Sequence, residues 1–134
     1  MGQKYLIDTC TVIKYLDETL PPKALLCMDA IVDDDSKVSF ITKIELLVWS
    51  PPIAEDISVI EGFLAGSEIH YINDEIINRA IQIRKVTHIK LPDAVIAATA
   101  IHNGYVLLST NDSDFKKVIP LGLKYKNPET ETTF

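Results

Sequence analysis

Leu91-Pro-Asp-Ala-Val-Ile-Ala-Ala-Thr-Ala-Ile-His102, then Asn103-Gly104, then Tyr105-Val-Leu-Leu-Ser109, is the stretch that decides the fold class. Pro92 suits the first turn of a helix that runs to His102, and Asn103-Gly104 ends it. Tyr105–Ser109 reads as a short buried strand. The same alternation continues outward in both directions. Asp74–Lys85 carries Ile76, Ile77, Ala80, Ile83 and Arg84 in helical rhythm, after a strand at Glu68–Ile72. Ile53–Leu64 is an amphipathic helix with Ile57, Ile60 and Leu64 on one face. Thr42–Trp49 is a helix stopped by Pro51-Pro52, and Lys37–Ile41 is a strand before it. Lys23–Val32 is a helix closed by the solvated acid run Asp33-Asp34-Asp35. Lys4–Asp8 opens the chain as a buried strand leading into a helix over Thr11–Leu16, and Leu121–Tyr125 adds a last strand. Strands alternating with helices imply an α/β/α sandwich with a mainly parallel central sheet. In such sheets ligands bind beyond the carboxyl ends of the strands.

The 134 residues form one domain, expected over residues 1–126, with residues 127–134 as a loose polar tail. At 47% hydrophobic residues disorder is excluded for most of the chain, and no apolar run is long enough for a membrane span. The start shows no signal-peptide pattern, and Cys10 and Cys27 make no metal or redox spacing, so a reduced cytoplasm is expected. A net charge of −6 argues against partners held by broad electrostatics, unless several acids are metal ligands.

Four segments each place one acid in an apolar or hydroxyl-rich frame: Tyr5-Leu-Ile-Asp8-Thr9, Ile41-Thr-Lys-Ile-Glu45-Leu-Leu47, Leu91-Pro-Asp93-Ala-Val-Ile96 and Leu108-Ser-Thr-Asn-Asp112-Ser-Asp-Phe115. Each acid has an ordinary role open to it. Asp8 suits a helix cap, and Thr42-Lys-Ile-Glu45 matches a capping box. Asp93 suits a helix dipole, and Asn111-Asp112-Ser113-Asp114 is good turn chemistry. Together these roles explain less. Asp8 and Asp93 stand in runs that are otherwise buried, and a buried carboxylate costs several kcal/mol unless something pairs with it. Lys14, Lys43 and Lys90 are too few and too spread out to neutralise four acids. Divalent metal answers that charge.

In order and spacing the four segments resemble the PIN-domain nucleases, and in particular the VapC-type toxins of bacterial and archaeal toxin–antitoxin pairs, from Tyr5 to about Tyr125. The resemblance implies a PIN-like fold and an acidic metal-binding quartet of Asp8, Glu45, Asp93 and Asp112, with Asp114 reaching a second metal through water. It makes Thr110 the hydroxyl that supports the quartet. Cys10 stands where relatives commonly carry Asn or Ser, and Thr11 is a substitute for it. Oxygen-only ligands suit Mg²⁺ or Mn²⁺, and His70, His88 and His102 are scattered into surface or packing roles. The expected reaction is metal-dependent phosphodiester hydrolysis. Asp8, Asp93 and Asp112 anchor the metal, and Glu45 is a further ligand or a general base acting through water. By resemblance the substrate is RNA, and the partners are a second copy of the chain and a small antitoxin. Lys14, Lys43, Arg84, Lys85 and Lys90 are the candidates for holding phosphates. Trp49 is either a core residue or part of a surface patch. The competing reading is a non-catalytic PIN-like module that binds RNA or a protein without cutting.

Overall fold

The computed structural model describes residues 2–49 and 54–134. Pro51-Pro52, expected to stop a helix, and Ile53, expected to open the next, lie outside the described residues. The elements run β1 (Tyr5–Ile7), α1 (Thr9–Leu16), α2 (Pro22–Asp35), β2 (Lys37–Ser39), α3 (Phe40–Val48), α4 (Ala54–Ala65) and β3 (Glu68–His70). They continue with α5 (Asp74–Thr87), α6 (Leu91–Asn103), β4 (Val106–Leu108), α7 (Asp112–Phe115), a 3-10 turn over Lys116–Leu121, and β5 (Lys124–Lys126).

Every strand pairing is parallel. β4 lies between β1 and β5, with Leu6 opposite Leu107, and β2 pairs with β3, with Val38 opposite Ile69. β1 also runs beside β2, which joins the two ladders into one layer ordered β3-β2-β1-β4-β5. Alternation along the strands explains the three layers. Leu6 and Leu107 face a core built with Ile76, Ile83, Ile96 and Phe115 from α5, α6 and α7. Ile7, Val106 and Leu108 face a second core with Val12, Met28, Leu46 and Ile60 from α1, α2, α3 and α4. Strands buried on both faces need such near-continuous apolar runs.

α6 is the innermost helix, with every residue from Ala94 to Ala100 buried. Its small side chains let it lie close against the sheet. Gly104 closes it at φ 70°, in the left-handed region where glycine is favoured. From β1 the chain departs to one side into β2, while β4 sits on the other. This places the switch point of the sheet between β1 and β4, at their carboxyl ends.

Several local expectations are corrected. Asp33, Asp34 and Asp35 belong to the last turn of α2 and do not follow it. α3 starts at Phe40, two residues before the expected start, because the buried Ser39 caps it by accepting from Ile41 N–H at 3.1 Å. Glu45 is therefore mid-helix and cannot close a capping box from Thr42. Ile57 is 41% exposed, while Ile60 and Leu64 are buried, so only part of the expected α4 face points inward. Trp49 is a surface residue at 42% exposure. In residues 127–134 the two ends are anchored, with Asn127 5% exposed and the Phe134 ring edge-on to Tyr5 at 6.3 Å, while Glu129, Thr130, Glu131 and Thr133 between them are exposed.

Candidate functional site

The end of β1 meets the end of β4 at Asp8. Its backbone N–H donates to Leu108 O at 3.0 Å, which holds the residue at the lip of the sheet. It occupies the cap position of α1, yet its side chain caps nothing. Instead Oδ2 accepts from Ser109 Oγ at 2.8 Å and from Cys10 Sγ at 3.2 Å. The residue is 5% exposed. Burial pushes its pKa up, the hydrogen bonds from Ser109, Cys10 and the Thr9 backbone pull the other way, and the Glu45 charge raises it further.

Asp93 stands in the first turn of α6. Its pKa is pushed up to about 6, first by burial, then by the charges of Asp8, Asp114 and Glu45, and by a hydrogen bond shared with Asp114. Glu45 comes from α3, where Thr9 Oγ1 donates to its Oε1 at 2.6 Å and lies 3.0 Å from the Thr42 hydroxyl. Asp114 is held by Asn111, whose Nδ2 donates to Oδ2 at 3.0 Å and whose Oδ1 accepts from the Asp114 N–H at 3.3 Å. Asp8, Glu45, Asp93 and Asp114 thus share one electrostatic field, drawn from four separate segments.

Asp112 faces elsewhere. Its Oδ1 accepts from Tyr125 OH at 2.6 Å and from Asn127 Nδ2 at 3.0 Å, and Lys116 Nζ is 3.6 Å from Oδ2. Those hydrogen bonds from Tyr125 and Asn127, with the Lys116 charge, hold its pKa below the usual carboxylate value. Tyr125 pays the converse: burial and the Asp112 carboxylate raise its phenol. Of the two acids in the fourth motif, it is Asp114 whose charge and hydrogen bond act on Asp93, while Asp112 is engaged by Tyr125, Asn127 and Lys116.

Thr110 reaches the acids through Cys10, and Ser109 reaches them directly. Thr110 Oγ1 donates to Cys10 Sγ at 3.3 Å and accepts from Lys14 Nζ at 3.2 Å, while its neighbour Ser109 touches Asp8. Thr11 is fully buried, and its hydroxyl has no partner among the described residues. Cys10 itself takes up the hydrogen bond to Asp8, and burial and the Asp8 charge raise its thiol pKa. Lys43 lines a surface cavity with Leu47, Glu61 and Leu64. Lys90 is exposed at the cap of α6, three residues before Asp93. Arg84 donates to Ile89 O at 2.5 Å, fixing the turn between α5 and α6. Thr9 and Ser109 stand inside two of the motif runs and were visible as polar residues beside an acid. Tyr125 and Asn127 carry no local signal, because only the pairing of β5 with β4 brings them to Asp112.

The donor set fits a hard divalent cation. It is made of carboxylate oxygens, two of them with raised pKa values, and no imidazole belongs to it. The acids are neighbours, not a closed cage: among the described residues no three His, Cys, Asp or Glu side chains converge as a finished ligand set.

A family model described as PIN domain matches residues 5–119. The fold is similar to that of the DNA-bound VapBC complex from Salmonella typhimurium, with TM-score 0.78 and 22% identity over 94% of this chain and 98% of the other. It is also similar to VapBC-1 from nontypeable Haemophilus influenzae, with TM-score 0.75 and 22% identity over 93% and 98%. VapBC-5 from Mycobacterium tuberculosis, of the VapBC family of toxin-antitoxin systems, gives TM-score 0.67 and 20% identity over 94% and 98%. No curated relative matches the chain in sequence.

Proposed function

The chain belongs to the PIN domain family, and on that premise we propose that it is a metal-dependent endoribonuclease, the toxin half of a VapBC-type pair. The observation that carries this reading is the placement of the buried Asp8 and the half-buried Asp93, both of raised pKa, in one field with Glu45 and Asp114. They lie at the carboxyl ends of β1 and β4, where an α/β sheet takes its ligand. Such an arrangement is destabilising to the empty chain, which is the expected signature of a site built for charge brought from outside.

In this proposal Asp8, Asp93 and Asp114 hold Mg²⁺ or Mn²⁺, with Glu45 a further ligand or a base acting through water. The ion would supply charge neutralisation at the scissile phosphate and a water of lowered pKa. The chain's own residues do the orienting. Ser109 and Cys10 both donate to Oδ2 of Asp8, which fixes the carboxylate plane. Thr9 fixes Glu45 from the adjacent turn. Asn111 holds Asp114 in register with Asp93. Asp112 is then a positioning residue that ties the fourth motif to Tyr125 and Asn127.

Two exposed apolar surfaces suit the two protein partners. Ile77, Ile81 and Leu91 border a groove of about 320 Å³ between α5 and α6, which we assign to a second copy of the chain. Ile44, Leu47 and Trp49 expose a second patch on and just beyond α3, which we assign to the antitoxin.

The test is cleavage of a mixed RNA pool by the purified protein in Mg²⁺ or Mn²⁺, with EDTA and Asp93→Asn alongside. Metal-dependent cleavage by the wild type alone, leaving 5′-phosphate ends, supports the proposal. Equal background in every lane, across several RNAs, favours a binding module that does not cut.

A further inference from the structure

The lysine wired to the acid pocket is already engaged by the carboxy-terminal segment. Lys14 Nζ on α1 donates to Thr110 Oγ1 at 3.2 Å and lies 3.0 Å from Glu129 Oε1. Thr110 donates to Cys10 Sγ, and Cys10 donates to Asp8 Oδ2. Three consecutive hydrogen bonds therefore join Lys14 to Asp8.

Glu129 reaches Lys14 because the segment around it is anchored on both sides. Asn127 donates from Nδ2 to Asp112, and its Oδ1 accepts from the Glu129 N–H at 2.9 Å. Its carbonyl accepts from Glu131 N–H at 2.7 Å. Further on, Thr132 O accepts from Cys27 Sγ at 3.4 Å, and Phe134 packs on Tyr5. The segment crosses from the edge of the acid pocket to α2 and β1, and its Glu129 pairs with Lys14 beside the pocket.

We infer that Glu129 is a positioning residue that competes with RNA for Lys14, so that a backbone phosphate engages this lysine only by displacing the Glu129 carboxylate. The inference rests on the nuclease reading and adds to it how substrate is admitted. The pair is well suited to exchange. Its side chains are 34% and 40% exposed, so both groups stay accessible to water and to an incoming anion. Pairs this exposed are weak, and a phosphate replaces one anion by another without leaving the ammonium unpaired. In a chain of net charge −6, holding one cation in reserve beside the acids also limits the binding of polyanions that do not fit the site.

The experiment measures binding of a 5′-fluorescein-labelled, mixed-sequence single-stranded RNA by anisotropy across a salt series. Every protein carries Asp93→Asn so that nothing is cleaved. Glu129→Gln is expected to tighten binding about two- to five-fold, the range set by the strength of an exposed ion pair. The slope of log K against log salt should change little, because Lys14 meets the same phosphate in both proteins once Glu129 is displaced, whereas Lys14→Gln should flatten it by about 0.7. Lys14→Gln should weaken binding, and in that background Glu129→Gln should change nothing. Equal tightening in both backgrounds would reveal a general charge effect and overturn the inference, as would unchanged or weaker binding by Glu129→Gln alone. RNA binding by none of the four proteins would remove the nuclease reading together with it. Metal-dependent cleavage by the wild type, with no coupling between Glu129 and Lys14, would remove the inference alone.

Discussion

Asp93 and Asp112 are both acids in the first turn of a helix, yet their surroundings give them opposite roles. Asp93 is pushed up to about 6 by burial and by Asp8, Asp114 and Glu45. In the metal-free protein it binds a proton that the unfolded chain releases at lower pH. Stability should therefore fall as pH rises from about 4 to about 6, by about 1–2 kcal/mol once solvent screening is allowed for. Asp93→Asn should flatten that slope and leave the metal-free melting temperature at pH 7 equal or higher, while abolishing cleavage. Asp112 is held below its usual value by Tyr125 and Asn127, so its contribution is present at neutral pH and lost as pH falls through the carboxylate range. Asp112→Ala should cost about 1 kcal/mol at pH 7, a drop in melting temperature that Asp93→Asn does not show. The residues of the site were partly legible: the runs around Asp8, Glu45 and Asp93 mark acids in apolar frames. Which acid of Asn111-Asp112-Ser113-Asp114 enters the pocket was not, because it depends on Tyr125 and Asn127, more than ten residues away.

At the scale of elements, α3 shows how a cap determines a functional residue. Ser39 ends β2 and caps α3 in the same step, so the helix begins at Phe40 and turns Glu45 toward Thr9. Ser39→Ala should lower stability by about 1 kcal/mol in thermal or urea unfolding. Cleavage should fall with it, because Thr42 and Glu45 lose their fixed approach to Thr9. The alternation of strands and helices was readable because buried parallel strands are short apolar runs with turn residues between them, as at Asn103-Gly104 before β4. Boundaries were less so. Phe40 and Ile41 have strand-forming side chains, yet the Ser39 cap draws them into α3. Asp33, Asp34 and Asp35 look like a solvated turn, yet α2 runs on through them to the start of β2.

Across the whole molecule, burial of acids at one end of the sheet is offset by packing on both its faces. The two cores lie on opposite faces of the sheet, and Phe134 at the end of the chain packs against the second of them. The contacts of Asn127, Thr132 and Phe134 were not legible in the polar run of residues 127–134, because their partners, Asp112, Cys27 and Tyr5, are distant in sequence. The groove between α5 and α6 leads to a further expectation. The protein should migrate as a dimer in sizing experiments, and Ile81→Glu should shift it to a monomer without unfolding it; a wild type that is monomeric at high concentration would contradict this assignment. The central claim is that Asp8, Glu45, Asp93 and Asp114 form one metal-binding pocket. The most direct test is the rise in melting temperature on adding millimolar Mn²⁺ to wild type, Asp93→Asn, Asp114→Asn and Asp112→Asn. A rise of several degrees in the wild type and Asp112→Asn, with little or none in the other two, is the predicted result. A rise of the same size in all four proteins, or in none, would contradict it.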